Sequence, residues 1–372
     1  MPMEKHSVAI CFVHHAIGGL RARGIAPEPV LQAAGIAPAL LSVPQARVSA
    51  ASYSVLWMEV AAALDDEFFG QDSRRMKRGS FAMLCHAVAG SKTLAQGLER
   101  VARYFGLLLD DIGVRLVREG EAAGAALAAP RDGHEREHER GHERGQERAA
   151  LVLTAPSGCA PGVFAQETML IMLHGLMSWL LRRRVPVLLA AFSYAEPPYA
   201  AEYRRMYSRH LAFGQPATAL VFDARWLAQP VHQDERSLKA FLREAPHNVV
   251  VKYSDRASVM ARVRRQLRAQ PPERWPTFEQ LAQGLHMSAS SLRRRLMEEG
   301  GTYQQIKDEM RRDLAIEALS HSSRSLAEIA AGLGFAEPGA FHRAFRRWTG
   351  LRPGAYRATS ATSATSHAGA RA

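Results

Sequence analysis

Ser325-Leu326-Ala327-Glu328-Ile329-Ala330-Ala331-Gly332-Leu333-Gly334-Phe335-Ala336-Glu337-Pro338-Gly339-Ala340-Phe341-His342-Arg343-Ala344-Phe345-Arg346-Arg347-Trp348 is the stretch that decides how this chain is read. A short helical pattern over Leu326 to Ala331 meets a glycine, turns through Gly334 and Phe335, and re-enters a helix near Pro338, a residue suited to a first helical turn. Phe341, Phe345 and Trp348 form an apolar stripe at helical spacing, which leaves His342, Arg343, Arg346 and Arg347 for other faces. The spacing predicts helix, tight turn and basic helix.

The same device stands earlier in the chain. Leu281-Ala282-Gln283-Gly284-Leu285 closes a short helix, and His286-Met287-Ser288 leads into Leu292-Arg293-Arg294-Arg295-Leu296. Ser288 is placed to cap that second helix, and Leu292 and Leu296, four apart, bury one face while the arginines splay around the rest. Met310 to Leu319, with Leu314, Ile316 and Leu319 apolar and Arg311-Arg312 basic, supplies a rigid connection. Two such units on one chain can enter successive major grooves if their centres lie about 34 Å apart.

Charge agrees with that placement. The 372 residues carry a formal net charge of +12 and a pI near 10.0, which favours a polyanionic partner. Residues 249–357 hold 19 Lys and Arg against 11 Asp and Glu, so eight of the excess positive charges sit around the paired motif. Cys11, Cys85 and Cys159 are odd in number and widely spaced, which fits a reducing compartment and no zinc site. The most apolar run, Met169 to Leu181, is broken by His174, Gly175 and Ser178 and closed by Arg182-Arg183-Arg184, far short of the roughly 20 apolar residues of a spanning helix. A cytoplasmic protein without membrane contact is expected.

Ahead of the paired motif the chain alternates helix and strand. Residues 1–23 read as an ill-defined lead and 24–229 as a mixed α/β regulatory domain. Ser49 to Phe69, with Val55, Leu56, Met58, Ala62 and Leu64 inward, Phe81 to Ala89, Thr93 to Leu108 and Gln166 to Leu181 are predicted helices. Asp110 to Leu116, Leu151 to Thr154, Val187 to Phe192 and Gln215 to Phe222 are predicted strands. The His-Glu-Arg triplets within 120–148 offer nothing to bury and predict a solvated, disordered insertion. A linker over 230–252, an all-α domain over 253–357 and a frayed tail over 358–372 complete the layout.

From Thr277 to Arg357 the sequence closely resembles the C-terminal domain of the AraC/XylS family of bacterial transcription regulators. The resemblance is carried by Ser325-Leu326-Ala327-Glu328-Ile329-Ala330-Ala331-Gly332-Leu333-Gly334-Phe335 and by Phe341 to Pro353. It implies seven helices in two helix-turn-helix subdomains joined by a linker helix. Leu56 to Phe69, Gly79 to Tyr104 and Tyr194-Ala195-Glu196-Pro197-Pro198 through Phe213-Gly214 resemble the regulatory domain of the branch that holds ornithine-responsive and virulence regulators.

The resemblance puts Ala289, Ser290, Ser291, Arg293 and Arg294 at base edges for the first unit, and Glu337, Pro338, Gly339, His342, Arg343 and Arg346 for the second. Arg294 and Arg343 are the best guanine readers, since a guanidinium offers two donors in a fork. Arg295, Arg347 and Arg352 suit phosphates or remain solvated charge. Glu337 either accepts from cytosine or caps the neighbouring helix. Tyr53, Trp57, His86, Tyr104, Trp179 and Tyr194 are candidate effector-lining residues, with ordinary core packing as the competing role.

The function expected is a transcription regulator with double-stranded operator DNA, an unidentified small-molecule effector and RNA polymerase as partners, and homodimerisation in keeping with the family. No cofactor and no metal is expected. A ligand-independent architectural DNA binder is the alternative. Asp65-Asp66-Glu67, Asp110-Asp111 and the histidines make no ordered acid/base constellation, and phosphate-cradling loop and nucleophile elbow are both missing, so no enzyme is expected.

Overall fold

The computed structural model describes residues 7–119, 147–208, 210–244, 259–299 and 301–365. The chain divides into two compact units, one drawn from Met1–Val60 and Ser254–Ala372, the other from Ala61–Tyr253. The first is therefore discontinuous in sequence, its parts separated by the whole of the second.

Within the first unit, strand β1 (Ser7–Ala9) leads directly into helix α1 (Ile10–Ala22), where the sequence predicts an ill-defined lead. Ile10, Val13, Ile17 and Leu20 recur at helical spacing and are buried, a periodicity that outweighs the paired glycines Gly18 and Gly19. Helix α2 (Glu28–Ala33) follows, then a 3-10 turn over Pro38–Ser42 and strand β2 (Arg47–Ser49), which pairs antiparallel with β1 so that Ser7 lies opposite Ser49. Helix α3 (Ala50–Leu64) is shorter than predicted. It stops because Asp65 turns left-handed (φ 49°) and the Asp66 carboxylate accepts backbone N–H bonds from Phe68, Gly70 and Met76, which fixes a loop instead. Tyr53, Leu56, Trp57 and Val60 form its buried stripe, while Val55, Met58 and Ala62, expected inward, are exposed.

The second unit is mixed α/β. Its described elements are α4 (Ser80–Ala89), α5 (Leu94–Leu108), β3 (Gly113–Arg118), β4 (Arg148–Thr154), α6 (Val163–Leu180), β5 (Leu189–Ala191), α7 (Ala200–Met206), β6 (Leu211–Ala212), β7 (Ala219–Asp223) and α8 (Glu235–Glu244). The strands make one sheet in the order β3-β4-β7-β5-β6, antiparallel except for β5 beside β6. Helix α6 is buried nearly all round, from Phe164 to Leu180, as a core helix must be. The insertion expected over 120–148 lies outside the described residues, apart from Glu147 and Arg148, which enter β4. Of the expected linker, 235–244 is α8 and 245–252 lies outside the described residues.

Among the described residues seven helices complete the first unit: α9 (Val259–Arg268), α10 (Phe278–Gly284), α11 (Ala289–Glu298), α12 (Tyr303–His321), α13 (Leu326–Gly332), α14 (Pro338–Thr349) and α15 (Pro353–Thr365). Thr277 with Gln280, Thr302 with Gln305 and Ser325 with Glu328 form reciprocal capping boxes that fix where α10, α12 and α13 begin. Val263, Leu267, Leu281, Leu292, Leu296 and Ile306 pack into one core around α9 to α12. Helix α15 continues through Ala358 to Thr365, where a frayed tail is predicted, and 366–372 lie outside the described residues. Tyr356 anchors it: the side chain is buried and its hydroxyl donates to the Arg47 carbonyl at 2.8 Å.

That bond belongs to a clasp between the β1–β2 hairpin and the helices. The Ser7 hydroxyl donates to Asp313 on α12, and the Arg47 guanidinium reaches the Ser7 hydroxyl and carbonyl at 2.8 and 3.0 Å. Arg47 and Asp313 are both buried. At Gly350 the backbone turns left-handed (φ 75°), and a Cβ there would come within 3.2 Å of Val43.

Candidate nucleic-acid interface

Each basic helix is set by the same local chemistry. Before α11, Ser288 accepts the Ser291 N–H at 3.1 Å, and Leu292 and Leu296 are buried beneath it. Arg293, Arg294 and Arg295 are exposed, as is Ser290, while Ala289 and Ser291 are half-buried. Before α14, Glu337 takes the N-cap position with no side-chain cap bond, which leaves its exposed carboxylate outside the capping role that was its alternative. Pro338 occupies the first turn, and Gly350 ends the helix left-handed.

The two turns open alike, on Gly284-Leu285 and Gly332-Leu333, but the second runs one residue longer to its N-cap, Glu337 against Ser288 in the first. Gly334 takes φ 74° in the second turn; in the first the left-handed residue is His286 at φ 56°, not Gly284, which is the last residue of α10. A Cβ at Gly334 would lie 2.9 Å from the Pro272 carbonyl oxygen, so glycine is required there by both backbone and space.

On α11, Ser290, Arg293, Arg294 and Met297 share a face at spacings of three, four and seven; on α14, Gly339, His342, Arg343 and Arg346 do the same. Seven of the candidates are thus collected onto one face per helix, while Ala289, Ser291, Glu337 and Pro338 stand outside these sets, as do Arg295 and Arg347. Arg293 lies over the Phe278 ring at 5.3 Å, Arg294 pairs with Glu298 at 3.6 Å, and Arg347 pairs with Asp308 of α12 at 3.7 Å. Arg343, Arg346 and Arg352 are exposed, and His342 is half-buried against Phe341. Phe341 and Phe345 are fully buried and Trp348 is half-buried beside Phe335, so the aromatic stripe is core.

Arg311 has a part that its sequence reading, added positive charge, does not contain. Its guanidinium lies 5.4 Å from the Trp275 ring and 5.2 Å from the Phe335 ring, and its Nε donates to the Leu333 carbonyl at 2.9 Å. The three side chains come from distant points in sequence, so no local pattern signals their meeting.

The six effector candidates are divided between the two units. Tyr53 and Trp57 lie in the first unit, edge to face at 6.0 Å and buried; His86, Tyr104, Trp179 and Tyr194 lie in the second. His86 is exposed, the Tyr104 hydroxyl donates to the Ser80 carbonyl, and Trp179 stacks on Phe241 at 4.6 Å. The Tyr194 and Tyr203 hydroxyls meet at 3.0 Å, and Tyr203 donates in turn to the buried carboxylate of Glu167. Burial, and then Glu167, push the Tyr203 phenol well above its ordinary pKa. Phe192, Tyr207 and Phe213 pack around this group. Glu167 escaped the sequence reading because it stands inside the apolar pattern of α6.

Comparison with known proteins matches two regions, the first of which spans parts of both units. Residues 24–231 match the family model for the arabinose-binding domain of AraC transcription regulators, and residues 281–359 match a helix-turn-helix domain. The chain is 28% identical over 335 residues to the ornithine utilization regulator of Pseudomonas aeruginosa, covering 90% of this chain and 91% of that one. It is 43% identical over 79 residues to the HTH-type transcriptional regulator VqsM of the same organism, 21% of this chain and 24% of the relative. An uncharacterized HTH-type transcriptional regulator of Mycobacterium tuberculosis is 25% identical over 339 residues, 90% of this chain and 91% of the relative. Among the described residues no helix is long and apolar enough to cross a membrane.

Proposed function

The chain belongs to the AraC family of transcription regulators, and we propose that it reads operator DNA with α11 and α14 in successive major grooves, under control of a small molecule taken up by its front domain. The observation that carries this reading is the paired construction: two helix-turn-helix units, each presenting one arginine-bearing helix face over a buried apolar one. Arg294 and Arg343 are the guanine readers, with Ala289, Ser290, Ser291, Arg293, Glu337, Pro338, Gly339, His342 and Arg346 lining the same grooves. Arg295, Arg347 and Arg352 hold phosphates, which position the helices without choosing a sequence.

The effector is placed in the second unit, near Tyr194 and its Tyr203–Glu167 neighbours, with His86, Tyr104 and Trp179 as further candidates; Tyr53 and Trp57 serve packing. The relative named for ornithine utilisation makes ornithine the first metabolite to assay. Control requires that the effector bind one of two states more tightly. RNA polymerase is the downstream partner, a homodimer the working assembly, and the cytoplasm the compartment.

Genome-wide occupancy, followed by gel-shift titration of the best fragment with and without ornithine, tests this. A short enriched motif spanning two grooves and a metabolite-dependent shift are expected. Diffuse occupancy without a motif would favour a ligand-independent architectural binder and overturn sequence-specific reading.

A further inference from the structure

We propose that Arg311 sets the operator spacing this protein accepts, by locking the two helix-turn-helix subdomains to each other across the linker helix. The inference rests on the reading that α11 and α14 engage one duplex together.

Helix α12 is a single rod, but a rod alone leaves each subdomain free to roll on its own end of it. Two contacts remove that freedom. The guanidinium of Arg311, projecting from α12, lies between the Trp275 ring, just ahead of the first subdomain, and the Phe335 ring, in the turn of the second. Both rings are anchored in their own halves. The Trp275 indole N–H donates to the Leu267 carbonyl of α9 at 2.8 Å, and Phe335 packs on Phe341 and Trp348 of α14 at 5.7 and 6.2 Å. Arg311 Nε also donates to the Leu333 carbonyl at 2.9 Å, which holds the guanidinium plane against the second turn.

The second contact is backbone on backbone. Gly334 comes so close to Pro272 and Glu273 that a Cβ would lie 2.9 Å from the Pro272 oxygen and 3.1 Å from the Glu273 Cα. The segment ahead of the first reader therefore rests directly on the turn of the second. A planar, delocalised cation serves this joint where a lysine would not, because it can face two rings and donate in its own plane at once.

Half-site spacing is where such a joint is read. Each base pair added or removed between the half-sites turns the second by about 35° and moves it by about 3.4 Å. A locked pair must deform itself or the duplex to follow, whereas a loosened pair rolls.

The test uses the full chain and a duplex enriched by it from a randomised pool, remade with one base pair inserted or deleted between the two contacted grooves. Wild type is expected to lose about tenfold in affinity on either change, and Arg311→Met about threefold or less, with its affinity at native spacing changed less than its spacing profile. Arg311→Lys should behave like Arg311→Met, and Gly334→Ala should also broaden the profile or shift its optimum. If Arg311→Met does not fold, Phe335→Leu removes one ring of the pair and is read in the same way. Equal loss of affinity at all three spacings would reduce Arg311 to a stabilising residue and overturn the proposal. Enrichment of no duplex by wild type would sink the two-groove reading, and the spacing role with it.

Discussion

The Ser7 hydroxyl donates to the Asp313 carboxylate at 2.6 Å, tying the first described strand to the helix between the two readers. Asp313→Ala should leave the half-buried Ser7 hydroxyl without this acceptor beside Arg47, and cost about 1–3 kcal/mol. Denaturant unfolding of the full chain checks this. A midpoint and slope that overlay wild type would mean the clasp adds nothing to stability.

His286 holds a left-handed backbone that its counterpart, Gly334, adopts freely. His286→Gly should relieve that strain and stabilise the first subdomain by about 1 kcal/mol or less, since the glycine also frees the unfolded chain. A higher thermal midpoint is expected; a lower one would show that the imidazole contributes more than the strain removes.

Arg294→Ala removes an exposed side chain whose pairing with Glu298 is worth only a few tenths of a kcal/mol in a helix. Folding should be intact, while discrimination at one operator position relaxes by about 1–3 kcal/mol. Titrations against every single-base operator variant read this directly, and an unchanged sequence profile would remove Arg294 from the base edges.

Arg347→Ala should instead weaken binding to all sequences alike and lower the salt dependence by about one unit of slope. Its exposed pairing with Asp308 at 3.7 Å is loose enough to be exchanged for a phosphate. Changed discrimination at one base pair would reassign it to the groove floor.

Glu328 accepts from Ser325 in the capping box of α13, and hydrogen bonding from the Ser325 side chain, then from its backbone N–H, holds the carboxyl below its ordinary pKa of 4.5. A pKa depressed by folding gives stability that is present above the unfolded value and lost as pH falls through the folded one. The second subdomain should therefore weaken below about pH 4.5, less steeply in Glu328→Gln. Parallel pH profiles for the two proteins would rule the carboxylate out as a contributor.

The paired readers were legible in sequence because their information is local. Ser288 and Ser325 mark helix starts, Leu292 and Leu296 mark a buried face, and Phe341 and Phe345 mark another, all within a few residues. Helix α6 was legible for the same reason. What escaped was long-range. Residues 7–22 look unremarkable until α12 and α15 are present to receive the β1–β2 hairpin, and Arg311 looks like spare charge until Trp275 and Phe335 converge on it. Val55 and Met58 were placed inward on apolarity alone, whereas the stripe through Tyr53, Leu56, Trp57 and Val60 is the one that packs.

The discontinuous first unit also bears on when the protein becomes competent. Ser7 waits for Asp313, and Arg47 for Tyr356, separations of 306 and 309 residues. At ribosomal rates of about 5–20 residues per second, the hairpin emerges roughly 15–60 s before its docking site has been made. The second unit lies wholly between these two pieces and can fold during that interval. A chain stalled before Asp313 has neither partner for its hairpin, and one stalled between Asp313 and Tyr356 has only the first, so the clasp closes in two steps set by the order of synthesis.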